Sequence, residues 1–114
     1  METLSTKYSE CLHKIFTRNL YRTLKRDRSE LNLNSILQMS SKFGDPHLAF
    51  DTIHVAGTNG KGTVSLKVAR ALQSLNYKAG LFTSPHVSCF RERISVNSEL
   101  ITEQQVVDYT QAIF

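Results

Sequence analysis

The segment Gly57-Thr58-Asn59-Gly60-Lys61-Gly62-Thr63 concentrates the residue types that handle phosphate. Glycines let a backbone curl around an anion and turn its N–H groups inward. Lys61 offers a mobile positive point charge for the β- and γ-phosphates of a nucleotide such as ATP. The hydroxyl of Thr63 can reach a Mg2+ ion held by those phosphates. The spacing departs from the common G-x-x-x-x-G-K-[ST] pattern. Val55 stands where the first glycine would be, and Gly62 pushes the hydroxyl one place on to Thr63. The competing reading is a Gly/Asn-rich strand-to-helix turn with no ligand.

A phosphate loop works only if its neighbours aim it, so the flanking elements matter. Thr52-Ile53-His54-Val55-Ala56 is short, rich in β-branched residues and bounded by turn residues, which predicts a buried strand. On that strand His54 reads as a hydrogen-bonded core histidine rather than a ligand. After the loop, Val64, Val68, Ala71, Leu72 and Leu75 recur at helical spacing and predict a helix over 62–75 with those residues on its apolar face. Its first turn adds unpaired N–H groups and the positive end of the helix dipole. Residues 78–83 predict a second strand. Strand, helix, strand is a βαβ unit, which implies a parallel sheet with a right-handed crossover.

Around this unit the spacing predicts a short helix over 8–16 with Leu12, Ile15 and Phe16 inward. A second helix follows from Ser35 to about Phe43, capped by Asn34 and stopped by Gly44 and Pro46. Residues 84–97 read mostly as loop, with a possible short strand at 93–96. Thr102 and Gln105 form a capping box for a last helix carrying Val106, Tyr109, Thr110 and Ile113 on one side. The fold class expected is α/β, a P-loop-containing parallel sheet with flanking helices. Residues 1–50 form a helical lead-in and 51–114 the first part of an ATP-binding domain. Two or three parallel strands are few for burial on both faces, so that domain is expected to be incomplete.

Composition narrows the class. The 114 residues suit one small domain, and 40% hydrophobic with 21% charged residues is ordinary for a globular protein. No stretch approaches the roughly 18 consecutive apolar residues of a membrane span. No apolar run follows the N-terminus, which argues against a secretory signal, and Glu2 and Glu10 argue against a mitochondrial one. Cys11 and Cys89 form no CxxC pair and read as two reduced thiols of a cytoplasmic protein. The net charge is +4, much of it from Arg18, Arg22, Lys25, Arg26 and Arg28, offset by Asp27 and Glu30. With Tyr21 alone among them and no nucleic-acid-binding motif, the cluster reads as a solvated surface segment.

Read together, Ile53 to Thr63 resembles the ATP loop of the folylpolyglutamate synthase and dihydrofolate synthase family, within the Mur ligase superfamily. The shifted Gly-Lys-Gly-Thr ending is that family's own variant. Gly44-Asp45-Pro46-His47 resembles the segment leading into its first strand. Gly80-Leu81-Phe82-Thr83-Ser84-Pro85-His86 resembles its Ser-Pro-His element. Arg91-Glu92-Arg93-Ile94 resembles its Glu-Arg-Ile element, and Glu99-Leu100-Ile101-Thr102 follows. These motifs lie in order between Tyr8 and Tyr109.

The resemblance implies an ATP- and Mg2+-dependent ligase. A carboxylate on a pterin or folate substrate is phosphorylated, and the amine of glutamate then attacks to form an amide. Gly57, Thr58, Asn59, Gly60, Lys61, Gly62 and Thr63 would hold ATP, with Lys61 catalytic. Thr63 and Ser84 would hold Mg2+, though Ser84 also reads as a polar residue ending a strand. His86, Arg91 and Arg93 fall in a loop that the family places near the pterin and the phosphates. Solvated loop cations, or a histidine packed on Phe90, fit these three equally well. Glu92 is expected to pair with a flanking arginine or a neighbouring segment. The family's downstream metal-binding glutamate and histidine, its modified lysine and its C-terminal domain have no counterpart in these residues. Two readings stay open: the N-terminal ATP-binding segment of such a ligase, inactive by itself, or a non-catalytic remnant that binds nucleotide feebly or serves as an interaction segment. The Thr-Ser-Pro-His and Glu-Arg-Ile pair disfavours a different Mur-type ligase.

Overall fold

In the computed structural model, residues 1–17 and 33–114 are described. The basic cluster from Arg18 to Arg28 lies outside them. The chain divides into two units, one of residues 1–18 with 55–114 and one of residues 19–54.

The first unit opens with helix α1, Leu4–Thr17. After the glycine-rich turn comes the helix Lys61–Ser74, named α3 here because α2 belongs to the second unit. Three short strands follow: β1 Gly80–Phe82, β2 Ile94–Val96 and β3 Glu99–Leu100. A single 3-10 turn, Phe90–Arg93, leads into β2. Helix α4, Glu103–Ile113, closes the unit.

All pairing among the described residues is antiparallel, in the order β1-β2-β3, with Leu81 opposite Ser95 and Val96 opposite Glu99. The expected parallel βαβ unit is therefore corrected. Residues 52–56 form no strand, and Ile53 is 63% exposed. β-branched residues favour an extended backbone, but a strand also needs a ladder partner, and among the described residues none pairs with this segment. His54 is exposed rather than a core histidine. Residues 78–83 do contribute β1, but its partner lies downstream instead of across the helix. The β2–β3 hairpin turns at Asn97 and Ser98, both at positive φ (49° and 68°). That is the requirement of a type I′ turn, and Asn-Ser in place of Asn-Gly hid it in the sequence. Asn97 locks the turn onto the chain before β1: its Oδ1 accepts from Ala79 N–H at 2.9 Å, and its own N–H donates to Ala79 O at 2.9 Å.

The core forms where α1 packs on α4 and α3 packs on β1. Cys11, Val106, Val107 and Thr110 are buried from the first pair, and Ala69, Ala79 and Ser95 from the second and the sheet. These are small residues, which lets backbones approach closely. Thr110 satisfies its hydroxyl by donating to Val106 O at 2.6 Å, so burying it leaves no polar atom unpaired. The apolar face expected for α3 is rotated. Ala69 is buried with Val68 and Leu72 half-buried, whereas Val64 (48%) and Leu75 (66%) face outward. On α4 the same happens: Val106, Val107 and Thr110 are buried, and Tyr109 and Ile113 are exposed. Helical spacing located both helices, but the packing partner selected the buried side.

The capping box at the start of α4 is present as expected. Gln105 N–H donates to Thr102 Oγ1 at 3.1 Å, and Thr102 N–H donates to Gln105 Oε1 at 2.9 Å.

In the second unit, helix α2 spans Asn34–Lys42, with Leu33 rather than Asn34 in the N-cap position. Gly44 (φ 75°) and Asp45 (φ 50°) then take left-handed conformations, and a 3-10 turn, Pro46–Leu48, follows. The stop at Gly44 and Pro46 is thus where the sequence places it. Ser40 Oγ and His47 Nδ1 lie 2.7 Å apart and join the end of α2 to that turn.

Candidate functional site

Two clusters in the first unit bring chemistry-bearing residues together. The first is the glycine-rich turn. Gly57 (φ 151°) and Gly60 (φ 78°) hold conformations that L side chains rarely adopt. Gly60 is the N-cap of α3 and accepts the helix's first hydrogen bond, from Val64 N–H at 3.0 Å. The N–H groups of Lys61, Gly62 and Thr63 therefore precede the helical ladder and sit at the positive end of its dipole. The Lys61 ammonium donates to Gly57 O at 2.7 Å and Thr58 O at 3.2 Å. Its charge is thus fixed on the loop's own backbone rather than extended into solvent. Two left-handed glycines, a helix start and a folded-back lysine suit a chain of phosphates.

Gly62 is at an ordinary φ, and a Cβ there would meet open space. Backbone conformation therefore does not require glycine at this position. Thr63 stands in the first turn of α3, and Ser84 just past β1, the strand on which α3 packs. Both residues are exposed. Among the described residues no group of three or more His, Cys, Asp or Glu side chains could hold a metal ion.

The second cluster is the loop from Ser84 to Arg93. Arg93 Nε donates to His86 Nδ1 at 2.8 Å, which leaves Nε2 as the nitrogen that carries the neutral ring's proton. The Arg93 guanidinium lies 5.9 Å from the Phe16 ring centroid and 5.8 Å from that of Phe90. His86 meets Phe90 edge-on, with centroids 6.3 Å apart. The packing of His86 on Phe90 is therefore real, and Arg93 shares it. Arg91 goes elsewhere: its Nε donates to Ile101 O at 2.6 Å, tying the loop to the segment before α4.

Glu92 pairs with neither flanking arginine. Its Oε2 accepts from Val87 N–H at 2.9 Å, and its Oε1 from Ser88 N–H at 2.8 Å and Cys89 N–H at 3.0 Å. These bonds, that of Val87 first, hold its carboxyl below the usual carboxylate range. Sequence reasoning missed two partners here. Phe16 comes from α1, far upstream, and no local pattern links it to Arg93. The Glu92 arrangement is a capping box on Phe90–Arg93, and Cys89 in place of Ser or Thr concealed it.

With this geometry in hand, the chain can be set beside known proteins. No family model matches it. It is 40% identical over 73 residues to the dihydrofolate synthase/folylpolyglutamate synthase of Bacillus subtilis, covering 64% of this chain and 17% of that protein. It is 36% identical over 72 residues to the dihydrofolate synthetase of Saccharomyces cerevisiae, covering 63% of this chain and 17% of that protein. The crystal structure of folylpolyglutamate synthase from Thermotoga maritima superposes with a TM-score of 0.70 at 40% identity, covering 89% of this chain and 24% of that one. This chain is a relative of the folylpolyglutamate and dihydrofolate synthases. It spans less than a fifth of the length of these two curated relatives. The α/β arrangement of helices around a small antiparallel sheet is shared with the solved synthase. Among the described residues no helix is long and apolar enough to cross a membrane.

Proposed function

We propose that this chain carries the ATP-phosphate loop of a ligase that joins glutamate to a pterin or folate carboxylate. The observation that carries the reading is the turn before α3: Gly57 and Gly60 at positive φ, the free first N–H groups of the helix, and Lys61 bound across them. The names of the relatives supply the substrate class. In the fuller reading, residues 51–114 belong to a P-loop domain of the Mur ligase type, residues 1–50 lead into it, and the protein is cytoplasmic.

Bound ATP and Mg2+ supply the phosphoryl group that activates the substrate carboxylate for attack by the glutamate amine. The chain's own part is electrostatic. Backbone N–H groups from Gly57 to Thr63 receive phosphate oxygens, and Lys61 leaves the Gly57 and Thr58 carbonyls to meet the charge that grows on the transferring group. The hydroxyls of Thr63 and Ser84 would hold the Mg2+ ion. His86, with Arg93 behind it, and Arg91 orient the substrate.

Thermal melting of the purified chain tests the reading. ATP with Mg2+ should raise the melting temperature, and Lys61→Ala should abolish the rise. Equal melting with and without millimolar ATP would overturn it. The 114-residue chain is expected to bind without ligating, because a loop that holds phosphate does not by itself orient three substrates. ADP release dependent on folate and glutamate would contradict that part.

A further inference from the structure

We propose that Glu92 is a positioning residue: its carboxylate gathers the N–H groups of Val87, Ser88 and Cys89 and thereby sets His86 against Arg93. Little else holds the loop. Val87 is 98% exposed, and Pro85 and Ser88 are exposed beside it, so burial does not shape the tip. Three hydrogen bonds from consecutive N–H groups to one carboxylate do. Consecutive N–H groups that converge in this way form an anion-binding concavity, and here the anion belongs to the chain itself.

The covalent neighbours turn this clasp into a positioning device. His86 directly precedes the first N–H donor, and Arg93 directly follows the acceptor. Closing Glu92 onto Val87 therefore brings His86 Nδ1 to Arg93 Nε, where they meet at 2.8 Å. The other end is anchored independently. Thr83 N–H donates to Arg93 O at 3.0 Å, and the guanidinium lies over Phe16 and Phe90. Arg93 is thus the fixed post and Glu92 the clasp. His86 is the part that is placed, its Nε2–H left to donate to a substrate acceptor atom. That last role rests on the proposed function. The placement itself does not.

The test uses no nucleotide or folate, so its failure is separable from failure of the ligase reading. In the intact chain at mildly alkaline pH, nitrogen NMR of the His86 ring should report the Nε2–H tautomer. The Val87, Ser88 and Cys89 amides should exchange more slowly than those of an unstructured peptide. Glu92→Gln keeps the size but removes the charge and one acceptor oxygen. It should mix the His86 tautomers and lose the amide protection, while α1 and α4 signals stay in place, which a merely local structural role would not require of the ring. An unchanged His86 tautomer in Glu92→Gln would overturn the proposal. Should that variant fail to fold, the wild-type amides decide: unprotected exchange at 87–89 overturns the proposal, and slowed exchange supports it.

Discussion

At the scale of single residues, backbone conformation and charge decide what the two clusters can do. Gly60 sits at φ 78° as the N-cap of α3, a conformation in which a Cβ is strained although no atom stands in its way. Gly60→Ala should therefore cost about 1 kcal/mol in urea unfolding through backbone strain alone. Gly62→Ala, at ordinary φ with open space in the first turn of α3, should cost nothing comparable. Equal effects of the two would refute the conformational account. Glu92 makes a second prediction. Its folded pKa is depressed by the N–H groups of Val87, Cys89 and Ser88, so the charged form is favoured in the fold. The stabilisation it gives is present above the pKa of an ordinary glutamate and is lost as pH falls through its lower, folded value. The amide signals of 87–89 should move together in that acid range, below the ordinary carboxylate range. The Gly57–Thr63 segment was legible as a glycine-rich turn ahead of a helix because its residues are contiguous. The Glu92 clasp was not, because its capping residue is a cysteine.

At the scale of elements, local signals set where helices begin and tertiary contacts set which way they face. Thr102 and Gln105 were readable as a capping box because both partners lie within one turn. Thr102→Ala should destabilise the unit by about 1 kcal/mol, measured by denaturant titration, because an N–H at the start of α4 loses its acceptor. The contact of α1 with the rest of the unit offers a separate probe at Tyr8. Its phenol is pushed above its ordinary value of 10.0 by burial first, then by the charges of Cys89 and Glu103, with Arg91 opposing. A raised acid pKa means stability that is full below the unfolded value and declines as pH rises towards the folded one. An ultraviolet titration should find a tyrosine step above the ordinary phenol range, and Tyr8→Phe should remove that late step. The strands were harder to read. A three-residue strand such as β1 carries too little pattern to reveal its partner, and antiparallel and parallel neighbours demand the same residue types.

At the scale of the whole molecule, stability concentrates where few side chains are fully covered. Val107 is 2% exposed on α4, the helix on which α1 packs, whereas Val87 is 98% exposed on the loop. Val107→Ala should cost about 2 kcal/mol by lost burial and a residual cavity. Val87→Ala should stay within about 0.5 kcal/mol. Comparable losses would mean that the packing of α1 on α4 is not the centre of the unit. By itself, the sequence determined the features whose partners are near in the chain: the glycine-rich turn before α3, the stops of α2 at Gly44 and Pro46, the capping box of α4 and the family likeness carried by contiguous motifs. Only the tertiary structure decided the pairing of β1 with β2, the absence of a strand at 52–56, the faces buried by α3 and α4, and the meeting of Phe16 with Arg93. The reason is physical. Caps, turns and helical periods are satisfied within a few residues, while ladders and aromatic contacts need a partner that only the folded chain brings close.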